Sequence, residues 1–385
     1  MKKHRLFTPG PTMVPEDILL EMARPQDHHR TADFRQQFKE VTDHLQYLFQ
    51  TQATCLTLTG SGTLAGESAI VSCCPPKNGH KVLCCRGGKF GERWAEICQA
   101  FDIPFVNYDI EWGRGANPEE IDRLLTEDSD LDTVTLVHSE TCSSSVSDVQ
   151  AIAQVTRKHG ALLIVDGITA VGTIPVKMDE WGLDVCFTGS QKALMLPPGL
   201  AFVAVSDQAW QRIETGDASS YYANLKKYRK SLEGSDTPFT PNNQLIRGLA
   251  RVLRDIKARG LESIWAQTAL MARATRSAAL AMGLKVFAAD PVDSVTGLVV
   301  PDGVDEGKLR KMMRSRFGMR VAGGQGHIKG KVIRISHMGY CDVFDTLGVI
   351  SAVELALLDQ GFALAPGQGV AAAQKAFAEG VEALQ

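Results

Sequence analysis

The sequence predicts an α/β protein: a mainly parallel sheet covered by helices, followed by a smaller α+β part. Three observations lead there. Short apolar runs alternate with amphipathic stretches as far as about residue 205, the run Ala161-Leu162-Leu163-Ile164-Val165 is apolar throughout, and the texture changes beyond about residue 245. Parallel strands need long crossover connections, usually helices, and those helices cover both faces of the sheet. A strand buried on both faces reads as an unbroken apolar run.

Taken in order, candidate strands lie at 55–58, 81–85, 133–138, 162–165, 185–188 and 201–205, with amphipathic segments at 90–100 and 149–158 between them. The stretch 243–282 reads as helical and is rich in Ala, Leu and Arg, with Gly260 as a break. After it come a strand-like 294–300, a helix at 306–317, a glycine loop at 323–326, a strand at 331–336 and a helix at 346–359. The Ala- and Gly-rich 366–385 is expected to form a loosely held final helix.

A length of 385 residues fits two domains, or one large domain with an appendage. Hydrophobic residues at 44% and charged residues at 22% suit a soluble globular protein. The formal net charge of -3 gives no electrostatic reason to expect nucleic acid or an anionic membrane as partner. No apolar run reaches the roughly 20 residues that span a bilayer. The first residues are basic without a following apolar core, so they read as mature protein and not a signal peptide. The nine cysteines include no CxxC pair and no zinc-ligand spacing, so no metal is expected. Buried free thiols in a reducing cytoplasm are the expectation.

The strongest chemical signal is Phe187-Thr188-Gly189-Ser190-Gln191-Lys192, an apolar strand running into a polar turn that ends on a lysine. A lysine fixed and partly desolvated at a strand end has a lowered pKa and forms imines; the alternative is a solvated surface lysine. Asp166 ends the buried run 162–165 and needs a cationic or hydrogen-bonding partner. It suits the pyridine nitrogen of pyridoxal phosphate, whose electron-sink chemistry requires that proton to stay; a turn-capping aspartate is the alternative. Thr59-Gly60-Ser61-Gly62-Thr63, between a strand and a helix, forms an anion site, and neither GxGxxG nor Gly-Lys-Ser/Thr spacing is present. A plain connecting turn is the alternative.

Phe90, between glycines after a strand, is placed to stack on a flat ring or to pack at a helix start. The Thr141 hydroxyl follows the strand 133–138 and can reach a cofactor oxygen or a carboxylate, or satisfy local backbone. Alternation sets Ile333 and Ile335 on one face of their strand and Arg334 on the other. A guanidinium there clamps an α-carboxylate, or is an exposed edge-strand arginine.

In chain order these features resemble the class V aminotransferases of fold type I, the alanine/serine–glyoxylate group. The resemblance rests on Thr8-Pro9-Gly10-Pro11, His29-Arg30-Thr31, Gly60-Ser61-Gly62-Thr63, Gly88-Lys89-Phe90-Gly91, His138-Ser139-Glu140-Thr141, Val165-Asp166, Gly189-Ser190-Gln191-Lys192, Thr237-Pro238-Phe239-Thr240-Pro241 and Arg334. It implies a large domain with a mainly parallel seven-stranded sheet at 17–260 and a small α+β domain at 261–385 with 1–16. It also implies a homodimer with sites near the interface. By that likeness Lys192 holds pyridoxal 5'-phosphate as a Schiff base and shuttles the proton, and Asp166 binds the pyridinium. Ser61, Gly62, Thr63 and Gln191 hold the phosphate, Phe90 stacks on the ring, and Thr141 contacts cofactor or substrate. Arg334 takes the substrate carboxylate, and Thr240 reaches the neighbouring subunit's phosphate.

The reaction expected is ping-pong transfer of an amino group from Ala, Ser or Asp to a 2-oxo acid such as glyoxylate or pyruvate. Two rivals stand beside it. One is a lyase or cysteine desulfurase on the same fold, which Phe90 argues against and Cys341 keeps open. The other is a non-catalytic binding protein, which would have no need of both Lys192 and Asp166.

Overall fold

The computed structural model describes residues 3–217 and 220–380. Its larger sheet has seven strands in the order Thr54–Gly60, Gly199–Val205, Val185–Gly189, Leu162–Asp166, Leu131–Val137, Lys81–Arg86 and Phe105–Asp109. Gly199–Val205 runs antiparallel to both neighbours, and the other pairings are parallel.

Successive side chains of these strands enter opposite layers. Leu163 and Val165 join one core cluster, whereas Leu162 and Ile164 join the other. This is the period-two geometry of a strand with helices on both faces, and it explains why the run carries no polar residue. One cluster is closed by the helices Ala32–Phe49 and Asn243–Arg259, the other by Gly62–Cys73 and Lys89–Ala100.

Several elements were not named in the sequence reading, among them one strand and one helix of the larger part. The strand Phe105–Asp109 lies at the sheet edge and is only partly buried, so it shows no apolar run. The helix Ala32–Phe49 is capped by the Thr31 side chain, which accepts from the Phe34 amide. It buries Phe34, Phe38, Val41, Leu45 and Leu48, spaced four and three apart as one helical face demands. Gly260, at φ +83°, does separate the helices Asn243–Arg259 and Leu261–Ala281. That backbone region suits glycine.

A second sheet has the order Arg5–Phe7, Met319–Gly323, Val332–Ser336, Val295–Val299 and Lys285–Val286. The chain's first strand thus pairs, parallel, with one more than 300 residues later. Ile333 and Ile335 enter the core of this part, as alternation requires. The final helix, Gln368–Glu379, is not loosely held: it buries Ala373, Ala376 and Phe377 in the same core. Among the described residues no helix is long and apolar enough to cross a membrane.

Candidate active site

Leu162–Asp166 and Val185–Gly189 are parallel neighbours, with Asp166 opposite Phe187 in register. Both therefore deliver their carboxyl ends to the same edge, where ligands bind in such sheets. Asp166 is the last residue of its strand, and Lys192 follows three residues after the other. A cleft with about 540 Å³ of open space begins there, and Ser61, Gly62, Thr63, Phe90, Asp166, Gln191 and Lys192 all line it. Trp94 and Phe187, with ring centres 5.7 Å apart, also border the cleft.

Each side chain is poised differently. Burial lowers the Lys192 amine to about 8, with Asp166 opposing that shift and Arg334 and Arg93 adding to it. Its ammonium donates to the Pro9 carbonyl oxygen. Burial raises Asp166 to about 6, and its Oδ1 accepts from the Ile168 amide at 2.9 Å. The helix Gly62–Cys73 starts at Ser61 with no side-chain cap, so its first N–H groups are open to an anion. Gln191 Oε1 is buried and has no hydrogen-bond partner among the described residues.

The N-terminal segment forms one wall, a role the sequence reading did not assign. Thr12 donates from Oγ1 to Lys192 O at 2.8 Å and from its amide to Gln191 O at 3.1 Å. Gly10 has φ +107°, and a Cβ there would sit 2.2 Å from Lys192 Nζ. Only glycine fits both demands. The motif Thr8-Pro9-Gly10-Pro11 was visible in the sequence, but nothing local says what it packs against.

Glu140 is a second residue without an assigned role. Its Oε2 accepts from the amides of Phe90 (3.0 Å) and Gly91 (3.1 Å), and its Oε1 from Cys142 at 2.9 Å. One carboxylate thus ties the start of the Phe90 helix to the turn that carries Thr141. Burial pushes Glu140 up to about 7, against the pull of those three donors.

Arg334, Thr141 and Thr240 do not line the cleft. Arg334 is not on an edge strand: Val332–Ser336 is paired on both sides, and the residue is 6% exposed. Its Nε donates to Gly323 O at 2.9 Å and its Nη1 to Thr141 O at 2.7 Å, while Nη2 has no partner among the described residues. Thr141 is buried and meets the guanidinium through its carbonyl. Thr240 is exposed. Cys341 is only partly buried, but desolvation pushes its thiol up to about 12, which opposes the reactive thiolate a desulfurase needs. The other eight cysteines are buried free thiols.

The family model described as aminotransferase class-V matches residues 6–341. The chain belongs to the class-V aminotransferase family. Across 96% of its length this aminotransferase is 34% identical to a serine–glyoxylate aminotransferase of Methylorubrum extorquens, covering 95% of that protein. It is 40% identical to a soluble hydrogenase 42 kDa subunit of Anabaena cylindrica, over 97% of this chain and 99% of that one. The crystal structure of pyridoxamine–pyruvate aminotransferase from Mesorhizobium loti superposes with a TM-score of 0.93 at 26% identity, covering 98% of each chain. The expected architecture, a fold-type-I transferase with a mainly parallel seven-stranded sheet, is borne out.

Proposed function

We propose that this aminotransferase uses pyridoxal 5'-phosphate to move an amino group from a small amino acid, Ala, Ser or Asp, to glyoxylate or pyruvate. The observation that carries the reading is one cleft holding a buried, pKa-lowered lysine and a buried aspartate at adjacent strand ends. The residues present suit that cofactor. An uncapped helix start is open to an anion, and among the described residues Asp166 accepts from the Ile168 amide alone. Serine, glyoxylate and pyruvate as substrates follow the names of the serine–glyoxylate and pyridoxamine–pyruvate relatives. The hydrogenase name of the Anabaena relative is not carried over, because nothing in the cleft speaks for it.

When bound, pyridoxal phosphate supplies an aldehyde carbon that captures amines and a protonated ring that takes up electrons as an α-proton leaves. The chain supplies the rest. Lys192 Nζ would bond the cofactor's aldehyde carbon, and the amine, once free, would take the substrate's α-proton and return it on the far side of the imine nitrogen, to that aldehyde carbon. Asp166 keeps its negative charge against the ring nitrogen and so retains the proton there. Phe90 covers the ring, while Ser61, Gly62, Thr63 and Gln191 hold the phosphate. Arg334, aimed by the two carbonyls it bonds, offers Nη2 to the substrate carboxylate, and Thr141 acts through its carbonyl.

The same reading assigns residues 17–260 to the cofactor-binding domain and 261–385 with 1–16 to the smaller one, supported by the two separate sheets. A homodimer is part of it. Thr240 is exposed on its own chain, and Leu20, Tyr221 and Phe344 are large apolar side chains left at the surface. The nine free thiols support a cytoplasmic location.

The test is to incubate the protein with pyridoxal phosphate, reduce it with borohydride and map the labelled peptide. The label is expected on Lys192. A label on any other lysine overturns the assignment.

A further inference from the structure

Arg93 is a cleft cation that the roles above leave unused. It lies in the second turn of the helix Lys89–Ala100 and lines the cleft beside Thr63 and Phe90. Its Nη1 donates to Thr63 Oγ1 at 3.0 Å, and its guanidinium carbon lies 5.1 Å from the centre of the Phe90 ring. Among the described residues it has no carboxylate within ion-pair distance. Both of these partners line the cleft, and no carboxylate of the described residues pairs with the guanidinium directly.

The charge balance says what is missing. Arg93, Asp166 and Lys192 are the charged side chains lining the cleft among the described residues. The Lys192 amine is committed to the cofactor's aldehyde carbon, and Asp166 is negative. A phosphate monoester carries about 1.5 to 2 negative charges at neutral pH. The open helix start at Gly62 contributes only partial charge. Arg93 alone adds a full positive charge that no proton loss removes.

We propose that Arg93 is the side-chain counter-charge for the cofactor's phosphate, with its bond to Thr63 holding hydroxyl and guanidinium in register for the same anion. This rests on the cleft being the pyridoxal phosphate site. A charge-assisted hydrogen bond to a planar fork is the usual way a protein fixes phosphate, and Thr63 keeps Oγ1 free to donate while it accepts from Arg93.

The experiment compares two probes on cofactor-free protein: pyridoxal phosphate, and pyridoxal, which lacks the phosphate. Dissociation constants come from the absorbance of the lysine adduct. Arg93→Gln is expected to raise the pyridoxal phosphate constant by about 10- to 100-fold, the worth of one hydrogen bond to a charged group, and to leave pyridoxal unchanged. Arg93→Lys keeps charge and stem, and is expected to fall between the two for pyridoxal phosphate with pyridoxal again unchanged. It also serves if the glutamine variant unfolds. Equal weakening of both probes overturns the proposal and makes Arg93 a brace for Phe90. No weakening of either also overturns it. If the parent protein captures neither probe on Lys192, the reading of the cleft fails before any variant is made, and this proposal fails with it.

Discussion

Replacing Arg334 by alanine removes a guanidinium with two separable duties. The first is structural. Its donors reach Gly323 O at 2.9 Å and Thr141 O at 2.7 Å from a residue only 6% exposed. Hydrogen bonds from a charged donor contribute about 1.5–3 kcal/mol each, so the variant is expected to lose about 3 kcal/mol of stability, less whatever water entering the space restores. The second duty is binding. Truncating one partner of a desolvated carboxylate–guanidinium pair costs about 2–5 kcal/mol, or roughly one and a half to three and a half decades in kcat/KM. Melting curves report the first effect. Titration with amino acids and with matching amines that lack the carboxylate reports the second. The amino-acid defect should be large and the amine defect small, with the resting cofactor absorbance close to that of the parent. Arg334→Lys should recover little, because an ammonium does not reproduce the planar fork. An equal defect for acids and amines would refute the clamp and leave Arg334 a purely structural tie.

Three further outcomes are expected. Asp166→Asn should keep the fold but slow the half-reaction by about 100-fold or more, since a neutral amide does not hold the ring proton by charge; near-normal single-turnover rates would remove Asp166 from that role. Gly10→Ala forces a side chain to φ +107° and a Cβ to within 2.2 Å of Lys192 Nζ. It should cost about 1–3 kcal/mol in thermal unfolding and slow labelling of Lys192, so unchanged labelling would deny the wall its function. Cofactor capture needs the neutral amine, and burial lowers Lys192 to about 8. The capture rate of the cofactor-free protein should therefore rise with pH to a midpoint near 8, and a midpoint near the ordinary 10.5 would contradict the desolvated lysine.

The sequence made some of this legible and hid the rest for identifiable reasons. Leu162–Asp166 announced itself because both faces are buried, and Asp166 and Lys192 because a polar residue at the end of such a run is conspicuous. Phe105–Asp109 stayed hidden because an edge strand needs no apolar run. Ala32–Phe49 carried a cap and a clear apolar face, so the signal was present and went unused. Arg93 looks like any surface arginine of an amphipathic helix. What singles it out is Thr63, 30 residues earlier, brought opposite by the sheet order. The Arg334 bond to Thr141 spans 193 residues and has no local trace.

The pairing of Arg5–Phe7 with Met319–Gly323 has a consequence for how the protein is made. The residues that wall the lysine, Pro9 to Thr12, leave the ribosome more than 300 residues before the strand that anchors their approach. The seven-stranded sheet has all its strands by residue 205 and can form while the chain grows, domain by domain. The nascent N-terminus must meanwhile wait unpaired for more than 300 residues. Completion of the lysine's surroundings is thus a late, long-range event, and a nascent chain that stops short of the second sheet has its Lys192 amine without the anchored wall.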